Sequence, residues 1–377
     1  MSWAQAEFHD LELGDGRRTQ RLIKLVDDLS AQPTGSIPLA CGGWPETKAA
    51  YRLLDNPAVE WREILEVHTT RTVERMAGQP VVLCLQDTTE LDFTSQPGIA
   101  GLGRLSYEAQ HGLYVHPTLA VTPAGLALGV LDAWMWARKP KDPPDVKEST
   151  RWVEGYEIVA DLAEAAPDSR LVYVADREGD LRALIDAAAR RGTPADGLIR
   201  SQHNRQTTTG EKLWERLARS GPLGEVEFAL PAAPDRPARR VRQTLDREVV
   251  TLPAHHGQPA VTVTAILARE ERPPTGEKAI EWRLLTNRTA ETLEQVVELI
   301  DWYRRRWLVE IFFRIWKSGC RVEALQLATL ERLERALVIY LIIAWRILHR
   351  VTWGRDCPNL PCDVVFDPEE WQAAWIV

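Results

Sequence analysis

Trp302-Tyr303-Arg304-Arg305-Arg306-Trp307-Leu308-Val309-Glu310-Ile311-Phe312-Phe313-Arg314-Ile315-Trp316-Lys317 is the stretch around which the rest of the chain is organised. Read as a helix, it has two opposed faces. Steps of 3, 7, 11 and 14 residues from Tyr303 reach Arg306, Glu310, Arg314 and Lys317, which return to nearly one side of a helix. Leu308, Ile311, Phe312, Ile315 and Trp316 fall on the other side, broad enough to lie against a core. One carboxylate set among three cations and a phenol suits a polyanion and a metal ion; the same pattern also arises on a solvated face braced by short-range ion pairs.

The stretch belongs to a chain of 377 residues, 45% of them hydrophobic, which is long enough for two or three domains with a buried core. Cys41, Cys84, Cys320, Cys357 and Cys362 form no CxxC pair and adjoin no histidine cluster, so neither a zinc site nor a disulfide framework is indicated. That usage fits a reducing cytoplasm. No signal peptide is evident, and the longest apolar run, Ala336 to Trp345, is too short to span a bilayer and reads as a buried helix. The net charge of −8 argues against a polyanion partner until its distribution is considered. Basic residues gather at Arg17, Arg18, Arg21 and Lys24, at Arg236, Arg239, Arg240 and Arg242, and from Arg304 to Arg321, which would attract DNA locally.

Residues 1 to 70 read as short helices. Asp15 is placed to cap one in which Leu22, Leu25, Val26 and Leu29 recur at helical spacing, with Arg17, Arg18 and Arg21 in its first turns. Those arginines suit DNA or simply a solvated basic face. Val81 to Leu85 is a continuous apolar run that reads as a buried strand with Asp87 just past its end; an acid there is either functional or a turn residue. Tyr114 to Val121 and Leu126 to Trp136 flank a Pro/Gly turn and read as a hairpin. A loop over residues 139–144 and a helix from Glu148 to Ala165 lead to a second buried strand, Leu171 to Ala175, followed by Asp176. A helix from Leu181 to Arg191 and a strand from Gly197 to Ser201 complete a series of strand, hairpin, helix, strand, helix, strand. That is the order of a ribonuclease-H-like α/β fold.

From residue 202 to 286 the texture changes to short alternating runs, Glu225 to Leu230, Val241 to Leu245, Val261 to Leu267 and Ile280 to Leu285, as in a β-rich insertion. Leu293 to Gly319 is then one long helix carrying the opening stretch. Asp367-Pro368-Glu369-Glu370 opens a further helix with Trp371 and Trp375 on one side, and the sequence stops at Val377.

Tyr303, Arg306, Glu310 and Lys317 meet all four positions of the Tyr-x2-Arg-x3-Glu-x6-Lys signature, and so the chain resembles the DDE transposases of the insertion-sequence-four family, to which the Tn-five transposase belongs. Gln86-Asp87-Thr88-Thr89 looks like that family's first-acid motif, which favours Asp87 over Asp92, and Asp176-Arg177-Glu178-Gly179-Asp180 looks like its second. Leu13 to Leu22, and Ala50-Tyr51-Arg52-Leu53 with Asn56-Pro57, are similar to its end-recognition domain.

The resemblance implies a helical transposon-end-binding domain over 1–70, a catalytic core over 71–201 and 287–350, a β-rich insertion over 202–286, and in 351–377 the start of a shortened dimerisation region. It implies double-stranded DNA with terminal inverted repeats and target DNA as partners, no membrane, and a homodimer in the active complex, or a monomer in this shortened form. Asp87, Asp176 and Glu310, brought to one point, would bind two Mg²⁺ ions, with Mn²⁺ as substitute, and support in-line attack on a phosphodiester. Arg17, Arg18, Arg21, Tyr303, Arg306, Arg314 and Lys317 would hold DNA. Trp282 matches an aromatic on which a flipped base stacks in that family, and is otherwise a core tryptophan on a strand. The expected function is cut-and-paste transposition with a hairpin end in a bacterial cytoplasm. The alternatives are a non-cutting DNA-binding regulator descended from such an enzyme and a two-metal nuclease acting on other DNA.

Overall fold

The computed structural model describes residues 2–138, 148–230, 232, 237–356 and 361. The chain begins with five helices, α1 (Trp3–Glu7), α2 (Gly16–Ala31), α3 (Ile37–Ala40), α4 (Trp44–Leu54) and α5 (Trp61–Met76). Five strands follow: β1 (Val81–Gln86), β2 (Thr89–Asp92), β3 (Gly103–Arg104), β4 (His111–Val121) and β5 (Ala127–Trp136). Next come α6 (Thr150–Ala165), β6 (Arg170–Ala175), α7 (Arg182–Arg190), β7 (Asp196–Arg200) and α8 (Leu213–Arg219). Four more strands, β8 (Pro222–Leu230), β9 (Arg239–Leu252), β10 (Val261–Glu270) and β11 (Glu281–Thr286), precede α9 (Leu293–Arg305), α10 (Trp307–Arg314) and α11 (Leu330–Asp356). The expected loop over residues 139–144 and the expected helix from residue 367 lie outside the described residues.

The chain divides into two units, one of residues 1–79, 87–146 and 307–377, the other of residues 80–86 and 147–306. In the first, α11 is the core. Every residue from Ala336 to Trp345 is at most 4% exposed, because α2, α4, α5, α10 and β5 all pack against this helix. Its segment Leu330–Gly354 is longer than the apolar run marked in the sequence and has the length and apolarity to cross a membrane, yet 72% of its apolar 18-residue stretch is buried inside the protein. It therefore behaves as a core helix. α2 forms where expected, with the Asp15 carboxylate accepting from the Arg17 N–H at 2.9 Å and Leu22, Leu25, Val26 and Leu29 buried. β4 pairs antiparallel with β5, as the hairpin pattern requires, and with the short β2 and β3.

The second unit is built on a mixed sheet in the order β1-β6-β7-β11-β10-β9-β8. β1, β6 and β7 are parallel, and their runs Val82–Leu85, Leu171–Ala175 and Gly197–Leu198 are buried, as befits strands covered on both faces. The mixed α/β core is ribonuclease-H-like, with the helical region ahead of it in the sequence. The β-rich insertion extends this same sheet: β11 pairs antiparallel with β7, from Leu284↔Arg200 to Thr286↔Leu198, and β10, β9 and β8 follow outward. The insertion also contains α8, which the sequence reading did not mark. Leu213 and Leu217 of α8 pack on Val250, Leu252, Val263 and Leu267.

The expected single helix from Leu293 to Gly319 is interrupted. α9 begins with a capping box between Thr292 and Gln295 and ends before Arg306, and after α10 the backbone winds as a π-helix over Ile315–Gly319. A wider turn rotates the side chains beyond it relative to regular helical spacing. Trp302 and Tyr303 of α9 are buried, as are Val309, Phe312 and Phe313 of α10 and Trp316 after it, while Leu308, Ile311 and Ile315 are only half-buried. Tyr303, expected on the polar face, is 4% exposed.

Candidate active site

β1 and β6 run parallel in a register that matches Val81 with Arg170 and Leu85 with Val174. Asp87 and Asp176 are each the first residue beyond these strands, so they occupy equivalent positions at the carboxyl ends. Both are half-buried. Asp176 Oδ1 accepts from the Glu178 N–H at 2.8 Å and Asp87 Oδ1 from the Thr88 N–H at 2.9 Å. Asp92, the alternative first acid, has both oxygens committed: Oδ1 to Thr94 N–H at 2.8 Å and Oδ2 to Gln110 Nε2 at 2.9 Å.

The strand ends are fixed from beneath. The Gln86 side chain is fully buried and meets the Tyr173 hydroxyl, which also lies 3.0 Å from the Trp152 carbonyl. Gly155 makes this possible, since a Cβ there would come within 1.9 Å of Gln86 Nε2. Burial, and then the charge of Asp176, push the Tyr173 phenol well above its ordinary range, so it remains a neutral donor. The loop after Asp176 is pinned by Asp180, 1% exposed, which accepts from Gln202 N–H at 2.6 Å, His203 N–H at 2.8 Å and Arg205 Nη1 at 2.6 Å. Sequence reading quoted Asp180 within a motif without giving it a role. Its spacing of four from Asp176 in a Gly-containing turn was the available signal.

Above this loop a cleft of about 300 Å³ is lined by Arg177, Arg200, Arg283 and Trp282. Trp282 is stacked on Phe228 with ring centres 5.8 Å apart, and Tyr303 meets it edge-on at 5.7 Å. The core reading of Trp282 therefore holds for the part of its ring that Phe228 covers, while the residue remains half-exposed and lines the cleft. Burial pushes the Tyr303 phenol up, opposed by the charges of Arg306 and Arg200 and by a hydrogen bond with Arg306, and reinforced by Asp176. Asp176, Arg200, Trp282, Tyr303 and Arg306 are thus gathered in one region of the second unit.

In the first unit, Glu310 is half-buried on α10, Arg314 is exposed, and Trp307 is 60% exposed on the same helix. Lys317 is already engaged by the protein, donating to the Glu90 carbonyl at 2.7 Å and lying 3.5 Å from Glu323. Among the described residues no three His, Cys, Asp or Glu side chains form a ready-made metal cluster. The donor type still fits the expected ion, because carboxylates suit Mg²⁺ and Mn²⁺ and two of them sit at matched strand ends.

The basic segments differ in availability. In the run Arg239, Arg240 and Arg242 each guanidinium has a carboxylate partner. Arg239 pairs with Glu270 at the end of β10 and with Glu277 (3.2 Å), while Arg240 pairs with Glu227 (3.4 Å) and Arg242 with Glu225, diagonal partners across the antiparallel β8–β9 ladder. Arg236 lies outside the described residues. In α2, Arg18 is held to the Leu13 carbonyl at 2.9 Å, whereas Arg17, with a 91% exposed side chain, needs only to release Asp15. Arg21 is half-exposed, and on α4 Arg52, part of the motif similar to the end-recognition domain, is exposed beside Trp44 (74%) and Lys48. Replacing Arg17 or Arg21 by alanine is expected to flatten the dependence of DNA affinity on salt by about one unit of slope each, and Arg18→Ala by less. Equal slopes for Arg17→Ala and wild type in a salt titration would make Arg17 a solvated residue only.

Residues 155–346 match the family model described as the transposase DDE domain, and residues 1–59 match that described as transposase DNA-binding. The first match covers just over half of the chain, which belongs to the DDE transposases. Among solved structures, it is similar to the piggyBac transposase in a synaptic complex with hairpin DNA, at 12% identity and a TM-score of 0.40, over 80% of this chain and 53% of that one. The chain thus spans about half the length of that transposase.

Proposed function

We propose that this chain is a cut-and-paste transposase of the insertion-sequence-four family, similar to the Tn-five transposase. Residues 1–70 would grip transposon-end DNA at terminal inverted repeats, 71–201 and 287–350 would form the catalytic core, 202–286 the insertion, and 351–377 the start of a dimerisation region. The single observation that carries the reading is the pair Asp87 and Asp176, the first residues beyond the register-matched parallel strands β1 and β6, within a chain of DDE transposase membership.

Asp87, Asp176 and Glu310 would hold two Mg²⁺ ions, or Mn²⁺ in their place. Those ions, when bound, supply charge neutralisation and an activated water or 3′-hydroxyl for in-line displacement at phosphorus. The protein groups do the rest by position. Arg306, Arg314 and a remaining N–H of Lys317 would hold phosphates on either side of the scissile bond, and the cleft beside Trp282 would receive a base flipped from a hairpin end. Tyr303, neutral and buried, would present its hydroxyl towards that cleft as a hydrogen-bond donor.

The test is cleavage of a supercoiled plasmid carrying two candidate inverted repeats. Expected are Mg²⁺-dependent breaks at the repeat ends, followed by joining to target DNA in a bacterial-cytoplasm-like buffer. Binding of the ends without nicking at any Mg²⁺ or Mn²⁺ concentration would replace this reading with that of a non-cutting regulator.

A further inference from the structure

β2 carries the chain onward from Asp87, and one of its edges pairs with β4, from Thr89↔Val115 to Asp92↔Gly112. The other edge of such a strand leaves alternate N–H and C=O groups without a ladder partner. Two of them are taken by side chains from the segment that follows Glu310. Lys317 Nζ donates to the Glu90 carbonyl at 2.7 Å, and Glu323 Oε1 accepts from the Asp92 N–H at 2.9 Å. The two side chains pair with each other at 3.5 Å, and Gln96 Nε2 donates to the Glu323 carbonyl at 2.7 Å.

Both ends of this lattice are anchored. Thr88, adjacent to Asp87, is hydrogen-bonded at 2.8 Å to His116, a fully buried residue of β4. On the other side, Lys317 sits in the π-helix, and Arg321 adopts a left-handed φ of 52° to start the short 3₁₀ turn Val322–Ala324 that carries Glu323. A non-glycine residue held in that conformation costs about 1 kcal/mol or more, so the surrounding contacts over-determine the turn. Side chains here stand in for a missing strand, and they come from the polypeptide that bears Glu310.

We propose that Glu323 is a positioning residue, which with Lys317 clamps the Asp87 strand to the Glu310 helix and so fixes the separation of the first and third acids. This rests on the reading of those acids as catalytic. Glu323 need not touch DNA or metal. Its carboxylate holds the β2 backbone and orients Lys317, whose ammonium has three N–H donors, two of them committed to Glu90 and Glu323 and one left for a phosphate.

The experiment uses the full chain, with Glu323→Ala and Glu323→Gln. Glutamine keeps an acceptor for the Asp92 N–H and loses the ion pair; alanine loses both. Three quantities are measured: amide-exchange protection of residues 88–92, end-DNA affinity, and the single-turnover cleavage rate of pre-bound ends as Mg²⁺ is titrated. For alanine we expect lost protection, end affinity within about 2-fold of wild type, cleavage about 10-fold slower and a higher Mg²⁺ midpoint, in line with the usual cost of removing a group that orients ligands. Glutamine should recover protection and part of the rate. An alanine variant that cleaves at the wild-type rate overturns the proposal. So does a loss of cleavage matched by an equal loss of end affinity, which would make Glu323 and Lys317 part of the DNA surface. Should alanine fail to fold, a glutamine variant at full rate and unchanged midpoint overturns it in favour of a purely structural contact. If wild type itself does not cleave, the transposase reading fails, and unchanged exchange in the alanine variant would then reject the clamp independently.

Discussion

Alanine in place of Asp87, Asp176 or Glu310 is expected to lower strand cleavage by about 10³-fold or more while leaving end binding nearly intact. Each carboxylate is assigned to holding the metal ions that would neutralise charge at the reacting phosphate, which is worth several kcal/mol, and each 1.4 kcal/mol is about tenfold in rate. Asp87 and Asp176 accept local N–H groups just beyond their strands and are half-buried, so their removal leaves the buried runs of β1 and β6 untouched. The measurement is nicking of end-bearing plasmid beside a gel-shift titration. Full nicking by any one variant would remove that residue from the site, and loss of nicking with loss of binding would assign it to folding or DNA contact. Asp92→Ala is the internal control, because its carboxylate is occupied by Thr94 and Gln110 and should affect stability more than chemistry.

The second large effect is on stability, at Glu7. This α1 carboxylate is 6% exposed and accepts from both Nη1 (2.9 Å) and Nη2 (3.1 Å) of Arg75 and from His68 Nδ1. His68 is fully buried, and its Nε2 accepts the Val130 N–H at 3.0 Å, which requires the neutral ring with its proton on Nδ1. Burial pushes the His68 pKa down, consistent with that tautomer. Glu7→Ala strands a guanidinium and an imidazole N–H in the core and is expected to cost about 3–5 kcal/mol. Burial alone would raise the Glu7 carboxyl; His68 and Arg75 outweigh it and hold it at about 2. With the folded pKa depressed, the stabilisation is complete above about pH 4.5 and is lost as pH falls through about 2, a change of about 3 kcal/mol. Urea unfolding from neutral to acid pH checks both statements. A wild-type acid profile no steeper than that of Glu7→Ala would mean that the carboxylate is not ionised in the fold.

Much of the core was legible because its strands are buried on both faces. A continuous apolar run such as Val81 to Leu85 or Leu171 to Ala175, bounded by polar residues, has few other stable solutions, and an acid just past its end is displayed wherever the strand stops. The hairpin, α2 with its Asp15 cap, and the four strands of the insertion follow from equally local patterns. Helical periodicity was less reliable at the opening stretch. The interruption at Arg306 and the π-helix at Ile315–Gly319 have no marker in an unbroken amphipathic sequence, and the burial of Tyr303 and Val309 does not follow from helical spacing alone.

By itself, then, the sequence determined the α/β class, the order of the elements and the positions of Asp87 and Asp176 at strand ends, since each depends on neighbours within a few residues. Only the tertiary structure decided what the charged and aromatic side chains meet. Arg239, Arg240 and Arg242 are paired with glutamates on β8 and at the end of β10, Trp282 rests on Phe228, Lys317 reaches back to the Glu90 carbonyl, and Asp180 is spent on closing a loop. Those partners lie tens to hundreds of residues away along the chain. Charge and aromatic contacts act over a few ångströms in space, so a cation that looks free in sequence is free only if the fold brings no carboxylate or carbonyl within reach.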